Sequence, residues 1–329
     1  MARLSVPEVR ASRSTDAAPG STDFAAAIAA NKRNTFWLCV LLTLLGMAFG
    51  GAVGFAVGYY GPPEAIVTVV ILGAIVMLVI SMIAISVALS FGGSVVSRIA
   101  GATDVSAEAE PQLHNVVEEM CIAAGLPKPR IVVIETPALN AFAAGRSPEK
   151  AVVGVTRGLL ETMNRDELQG VIAHEMSHVG NRDTLYMTAV AVLVGLIVLL
   201  CDVMRRFGYH AARGGGRRST GSGSLAMIIV LVVSIVAPLA AMALRMAVSR
   251  QREYLADATS VKLTRNPLGL IAALEKIGAS TTRMESPNRA IQHLFIDNPI
   301  QRFGEQASAL MATHPPIEKR VARLLNLGA

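Results

Sequence analysis

The most informative stretch of this chain is His174-Glu175-Met176-Ser177-His178. In a helix, residues i and i+4 lie on one face, so the two histidines would present their imidazoles to the same metal ion. Glu175 would lie within reach of a water beside that metal without binding the metal itself, an arrangement typical of zinc metalloproteases. The stretch therefore predicts a helix that supplies two metal ligands and a general base.

The flanking residues support a helix of the required length. Asn164 followed by Glu167 is a capping-box pattern, and it predicts a helix start about two turns before the first histidine. Gly180-Asn181, just past the second histidine, is a typical helix end. This frame disfavours the simpler interpretation, in which the histidines are two surface residues of an ordinary helix.

A catalytic zinc site needs a third protein ligand and one open position. No cysteine lies at metal-ligand spacing, so a carboxylate is expected. The candidates are Asp183, Asp202, Glu253, Asp257 and Glu275. Asp183 follows the helix end too closely to turn back easily, and Asp202 lies at the far end of an apolar run. Glu253 and Asp257 form an i, i+4 pair, so one could bind the metal while the other orients a ligand histidine. Their spacing does not say which, and an exposed charged helix face is the alternative.

The composition predicts a membrane protein. Hydrophobic residues make up 52% of the chain and charged residues 16%, and the mean hydropathy is +0.49. Two stretches, 35–60 and 65–90, contain no charged residue and exceed the roughly 20 residues that a helix needs to cross a bilayer. Two further runs, 185–201 and 225–244, are shorter, so buried helices of the soluble part remain an alternative for them.

Basic residues precede the first run and follow the second, which places the N-terminus and the chain after Ser90 in the cytoplasm. We expect a polar, disordered tail 1–34, a transmembrane hairpin 35–90 and a cytoplasmic metalloprotease domain 91–329 interrupted by the apolar hairpin 185–244. The arginine- and glycine-rich loop 203–224 opposes crossing of that hairpin, but its length favours crossing, so we expect four spans. The three cysteines are expected to be free thiols, and no motif indicates a nucleic-acid partner.

The part between the second and third runs predicts a small α+β unit. A helix opens at Pro111 and stops at Gly125, and two short strands follow at 130–134 and 151–155. Between these strands lies the short extended piece 140–143. Further helices are predicted from Asn266-Pro267 to Gly278 and from Pro316 onward.

Taken together, these residues resemble the HtpX-type membrane zinc metalloproteases, relatives of the CAAX prenyl endopeptidases. The resemblance covers the chain from about Phe36 to the C-terminus. The motifs that carry it are Asn140–Ala143, Thr156–Leu160, His174–His178, Arg252–Asp257, Thr313–Pro316 and Glu318–Arg320. It implies a mainly α membrane protein with a zincin-like α+β catalytic domain, in which the metal-binding helix lies beside a small sheet.

The resemblance also implies roles that spacing alone leaves open. Glu253 would be the third ligand of one Zn²⁺ per chain, and Asp257 would support a ligand histidine. His314 would approach the metal and stabilise the oxyanion. The substrate would add as an extra strand to an active-site edge strand formed by Asn140, Ala141 and Phe142.

The expected activity is that of an integral-membrane zinc endopeptidase with Glu175 as the catalytic base. By resemblance, its partners are the bilayer and polypeptide substrates, above all misfolded or damaged membrane proteins removed in quality control. The expected location is the bacterial inner membrane. The alternative is a membrane zinc-binding or scaffold protein without protease activity. A zinc carrier would need polar residues inside its spans, and an inactive homologue would be expected to lack Glu175.

Overall fold

The computed structural model describes residues 24–59, 61–195, 250–282, 284, 291–296 and 315–326. Within them the chain is mostly helical and contains one small sheet. The helices are α1 Phe24–Gly58, α2 Ile66–Ile99, α3 Pro111–Ala124, α4 Arg157–Thr162, α5 Arg165–Gly180, α6 Asp183–Gly195, α7 Arg250–Thr264, α8 Pro267–Ala279 and α9 Ile317–Leu325. The strands are β1 Ala102–Asp104, β2 Arg130–Ile134, β3 Ala141–Ala144 and β4 Val152–Thr156.

Helices α1 and α2 form a long hairpin, and each is long and apolar enough to cross a membrane. Glycines let the two helices approach closely. A Cβ at Gly50 would overlap the carbonyl oxygen of Gly73, and one at Gly54 would overlap that of Val69. Close backbone approach through small residues is the usual means of packing helices in lipid, where apolar surface alone provides little driving force.

Both helices extend beyond the predicted runs. Helix α1 begins at Phe24 rather than near residue 35, so part of the tail predicted to be disordered is helical. The reason is the alanine-rich segment 25–30, which has high helix propensity and no breaker before the apolar run. Helix α2 continues past Ser90 to Ile99 because Gly92 and Gly93 pack against the rest of the protein instead of ending the helix.

The sheet has the strand order β1-β2-β4-β3. Strands β2 and β4 are parallel, whereas β1 and β3 are antiparallel to their neighbours. The strands predicted at 130–134 and 151–155 are present, the second shifted by one residue. Every residue of β3 and β4 is buried, which is typical of a sheet covered on both faces. Because β3 lies at the end of the strand order, no named strand among the described residues pairs with its outer edge.

Helix α5 packs against α3, α7, α8 and β3. Its start is the predicted capping box, in which the Asn164 side chain accepts a hydrogen bond from the Glu167 amide and the Glu167 carboxylate accepts one from the Asn164 amide. Close approach of α8 depends on glycine, because a Cβ at Gly170 would lie 2.7 Å from the backbone nitrogen of Leu270. The Ser260 hydroxyl on α7 donates to the Gly170 carbonyl at 2.8 Å.

Helix α6 follows α5 after a two-residue turn and packs beside the membrane hairpin. Its residues Val190 and Leu193 belong to one buried cluster with Leu38 and Leu42 of α1. This helix is the described beginning of the third apolar run predicted from the sequence. The rest of that run, the loop 203–224 and the fourth run lie outside the described residues.

Candidate active site

Two helices bring the predicted metal ligands together. Helix α5 carries His174 and His178 one turn apart, and their Nε2 atoms are 3.2 Å from each other. Helix α7 places the Glu253 carboxylate opposite them, with Oε2 3.7 Å from Nε2 of His174 and Oε1 3.7 Å from Nε2 of His178. All three side chains are buried, and their ligand atoms lie within 4.8 Å of one another. Residues separated by about 75 positions in the sequence thus converge on one point.

A carboxylate faces the second ring nitrogen of each histidine. Asp257 lies 3.0 Å from Nδ1 of His174, and Asp183 lies 3.0 Å from Nδ1 of His178. A carboxylate accepts the Nδ1 proton, so each imidazole, when neutral, is held in the tautomer whose Nε2 lone pair points to the other ligands. Asp257 is the residue predicted to support a ligand histidine, and it contacts His174. The sequence offers Asp183 only as an unfavourable candidate for a metal ligand. In the structure it is instead a partner of a ligand histidine.

Arg320 on α9 lies behind Asp257 and is fully buried. Its Nη2 and Nε atoms donate to the two Asp257 oxygens at 2.6 and 2.9 Å, a bidentate pair. Its Nη1 lies 3.9 Å from a Glu253 oxygen. Such a two-point contact fixes the carboxylate plane as well as its position. Arg320 therefore links the last helix to the carboxylate that orients His174.

The donor set fits a zinc ion. Two imidazole nitrogens each about 2.0–2.1 Å from a tetrahedral metal would be about 3.3 Å apart, close to the 3.2 Å between the two Nε2 atoms. Two histidines and one glutamate leave a fourth position for water or substrate, as catalytic zinc sites require. The buried carboxylates that surround the histidines also favour a cation at this point.

The pKa values of Glu175 and His178 follow from burial and neighbouring charges. Burial raises the pKa of Glu175 to about 7; the nearby His178 opposes this rise and Glu253 adds to it. Burial lowers the pKa of His178, but the hydrogen bond to Asp183 and the charge of Glu253 outweigh burial and raise this pKa to about 9. A carboxyl that titrates near neutral pH is well placed to accept and return a proton.

The pKa of His174 shifts in the opposite direction to that of His178. Burial lowers the pKa of His174, although its hydrogen bond with Asp257 opposes the shift. Burial alone would raise the pKa of Asp257, but the charge of Arg320 and the hydrogen bond with His174 outweigh it and bring the pKa to about 2. Around neutral pH the Asp257 side chain is therefore an ionised acceptor and His174 is a neutral imidazole.

The predicted edge strand lies in the sheet beside α5. Asn140 precedes β3, and its backbone N–H donates to Thr156 Oγ1 at 2.9 Å. Ala141 and Phe142 belong to β3 and are fully buried. The outer edge of this strand carries a short antiparallel bridge from the chain itself, in which the Ile296 N–H donates to the Ala141 carbonyl at 3.0 Å.

Sequence reasoning missed three residues of the site: Asp183, Arg320 and Asn31. As described above, Asp183 contacts one ligand histidine, and Arg320 contacts the carboxylate partner of the other. Asn31 lies on α1, where its amide donates to Asp183 Oδ1 at 2.7 Å. The local signal was the position of Asp183 five residues after His178, where a helix end can turn a carboxylate back toward the ring; Arg320 belongs to a motif of the resemblance, but without a role of its own. The other two depend on tertiary contacts between distant segments.

The remaining predictions for single residues have different outcomes. His314 and Asp202 lie outside the described residues. Glu275 is exposed on α8, so it is not part of the cluster. Two further described histidines have other contacts: Nε2 of His114 is 3.0 Å from the Val105 carbonyl, and Nε2 of His293 is 3.1 Å from that of Met187.

Comparison with known proteins identifies the family. Residues 107–327, more than half of the chain, match Peptidase family M48. The chain belongs to peptidase family M48. A protein from Caldanaerobacter subterraneus named Protease HtpX homolog is 44% identical over 301 residues, which are 91% of this chain and 96% of that protein.

Two further similarities were found. A protein of the same name from Thermoanaerobacter pseudethanolicus is 51% identical over 230 residues, which are 69% of this chain and 75% of that protein. The crystal structure of Ste24p from S. mikatae aligns with a TM-score of 0.45 and 18% identity, over 88% of this chain and 65% of that chain.

These findings confirm the resemblance to HtpX-type proteases and the prediction of a membrane metalloprotease. The M48 family implies a metal, and the cluster of His174, His178 and Glu253 is a site that could bind it. The alternative, a zinc-binding or scaffold protein without protease activity, finds no support.

Proposed function

We propose that His174, His178 and Glu253 hold one zinc ion and that Glu175 is the general base of a zincin-like endopeptidase site. The observation that carries this proposal is the convergence of three buried ligand atoms within 4.8 Å, two of them on the helix that also bears Glu175. The packing of that helix against β3 supports the zincin-like arrangement, in which the metal-binding helix lies beside an edge strand.

The chain's own residues account for the proton transfers. When bound, zinc would supply a Lewis acid that polarises the scissile carbonyl and acidifies water. Glu175 accepts a proton from the attacking water and passes it to the leaving amine, two steps that suit a carboxyl with a pKa of about 7. Asp257 and Asp183 hold the two imidazoles in the required tautomer throughout.

We propose that the substrate is a polypeptide that pairs with β3 as an added strand along Asn140, Ala141 and Phe142. A substrate that bonds to the Ala141 carbonyl has to displace the Ile296 N–H, which occupies that acceptor. His314 is our candidate for stabilising the oxyanion, on the basis of the resemblance.

The membrane setting suggests the class of substrate. The metal ligand His178 lies one short turn before α6, which packs against the membrane hairpin. A site so close to the bilayer suits segments of damaged or misfolded membrane proteins. We propose a quality-control protease of the bacterial inner membrane, with its catalytic domain in the cytoplasm, in agreement with the basic residues around the first two spans.

The test is cleavage of a destabilised membrane protein by the purified enzyme in detergent. Chelation is expected to abolish cleavage and added zinc to restore it. Glu175→Gln is expected to keep stoichiometric zinc, because this side chain is not a ligand, and to lose turnover by about 10²- to 10⁴-fold. Glu161→Gln makes the same change at an exposed position of the same domain and is expected to leave turnover unchanged. Near-normal turnover of zinc-loaded Glu175→Gln would contradict the assigned base.

A further inference from the structure

A residue of the first membrane helix reaches the candidate metal site through one intermediate. The Nδ2 amide group of Asn31 donates to Asp183 Oδ1 at 2.7 Å and to the Asn181 carbonyl at 3.1 Å. The other oxygen of Asp183 lies 3.0 Å from Nδ1 of His178. A continuous path of short hydrogen bonds therefore runs from α1 to a metal ligand.

The environment of Asn31 sets it apart from its neighbours. Residues 31–34 are all polar, yet Lys32, Arg33 and Asn34 are exposed, whereas Asn31 is only 5% exposed. The Asn31 side chain thus points into the protein, although the next three residues of the helix are exposed. Both amide protons are used, one on the carboxylate and one on the turn that joins α5 to α6.

This geometry restrains Asp183 in the way that a ligand histidine requires. Asp183 is 1% exposed, so no water competes for its oxygens. With Oδ1 held by Asn31, the carboxylate plane is fixed and Oδ2 remains directed at the His178 ring. Outer partners of ligand histidines set ring orientation and basicity, and their loss commonly weakens metal binding by about 10- to 100-fold.

We propose that Asn31 is a positioning residue for the metal ligand His178 and acts through Asp183. The membrane hairpin is then part of the metal site and not only an anchor for it. The proposal rests on the zinc ligands proposed above. The competing explanation is that Asn31 only joins α1 to the α5–α6 turn, so that its loss would weaken packing without a specific effect on the metal.

Zinc affinity of the full-length protein in detergent, measured by competition with a chromophoric chelator, separates the two explanations. Asp183→Ala is expected to weaken zinc binding by about 10- to 100-fold and Asn31→Ala by about tenfold, the lower end of that range. Thr35→Val is the matched control, since Thr35 is buried one turn further on the same helix and its hydroxyl donates within α1, to the Asn31 carbonyl. This variant is expected to retain full zinc affinity.

The decisive comparison is the double variant. If Asn31 acts through Asp183, Asn31→Ala adds less than about twofold when Asp183 is already alanine, because the two changes break one path. Equal losses in both backgrounds, or an unchanged zinc affinity of Asn31→Ala, would overturn the proposal. Should Asn31→Ala not fold, Asn31→Ser, which keeps a polar atom in the buried position, takes its place in the same cycle.

A reference variant keeps this proposal distinct from the proposed function. Glu253→Ala removes a proposed ligand and is expected to lose zinc almost entirely. If Glu253→Ala binds zinc normally, the proposed metal site is wrong, whatever the effect of Asn31. The absorption spectrum of the Co²⁺-substituted protein gives a second readout, in which Asn31→Ala and Asp183→Ala are expected to change the ligand-field bands in the same direction.

Discussion

Four carboxylates lie buried around the two histidines, each no more than 3% exposed: Asp183, Glu175, Glu253 and Asp257. An ionised carboxylate without a partner in such surroundings costs several kcal/mol. Their partners among the described residues include Arg320, the two imidazoles and the Asn31 amide. Negative charge is therefore concentrated where a metal cation is expected, and Arg320 is the permanent positive charge that stabilises it.

This view predicts a large effect of Arg320→Leu on stability. The substitution leaves Asp257 ionised and buried without its bidentate partner, which should cost about 3–5 kcal/mol. In a domain of this size that corresponds to a fall in apparent Tm on the order of 10 °C, measured by thermal unfolding in detergent. Arg323→Leu is the control on the same helix, because Arg323 is exposed and only stacks on Tyr254. A Tm for Arg320→Leu within about 2 °C of the control would contradict the argument.

The sequence was sufficient for the part of the site that local structure determines. His174, Glu175 and His178 share one helix, so their spacing alone predicts their geometry. The spacing narrowed the third metal ligand to Glu253 or Asp257, but the choice between them needed the family resemblance. The contributions of Asn31 and Arg320 could not be predicted, because each depends on how a distant helix packs against α5, which no local pattern reveals.

At the scale of elements, helix ends with specific caps were predicted well and those without caps were not. The capping box at Asn164, the left-handed Gly125 and the Asn266 cap all lie where the sequence placed them. Helices α1 and α2 extend beyond their predicted ends because hydropathy predicts the apolar part of a helix and not the whole helix. A helix continues into polar surroundings until a breaker or a cap ends it.

The packing of α1 on α2 leads to a prediction about two adjacent glycines. Gly50→Ala would drive a methyl group into the backbone of Gly73 and force the hairpin apart. Gly51→Ala is the matched control, since its Cβ would lie 3.7 Å from Val70 Cγ1, an ordinary contact. We expect a lower apparent Tm for Gly50→Ala and a gain or no change for Gly51→Ala, which also has higher helix propensity. Equal Tm values for the two variants would show that close approach at Gly50 is unimportant.

At the scale of the whole molecule, the membrane hairpin contacts the catalytic part (the described residues from β1 onward) through the end at which α1 begins and α2 ends. Asn31, near the start of α1, contacts Asp183. Gly92, near the end of α2, lies so close to Thr188 of α6 that a Cβ there would be 2.5 Å from its methyl carbon. The N-terminal end of α1 and the catalytic part therefore lie at one end of the hairpin, and the turn near Pro63 lies at the other.

Helix α6 indicates the direction in which the third apolar run leaves the catalytic part. It begins next to Asn31, and further along it Val190 and Leu193 pack in one cluster with Leu38 and Leu42. Helices α6 and α1 thus run in the same direction along the hairpin. On this shared direction we base the prediction that the third run crosses the membrane.

We therefore predict four spans, with the loop 203–224 on the face opposite the catalytic domain in spite of its arginines. Apolar length favours crossing of both runs, whereas the positive-inside rule opposes export of the loop. The measurement is labelling of intact cells by a membrane-impermeant thiol reagent, in a variant whose three native cysteines are replaced by serine. Cysteines at Ser219 and Ser222 are expected to react, whereas one at the exposed Ser106 of the catalytic part should react only after permeabilisation. If both loop positions are protected in intact cells and react once the membrane is opened, the hairpin returns to the catalytic side, and the arginines rather than the apolar length determine its course.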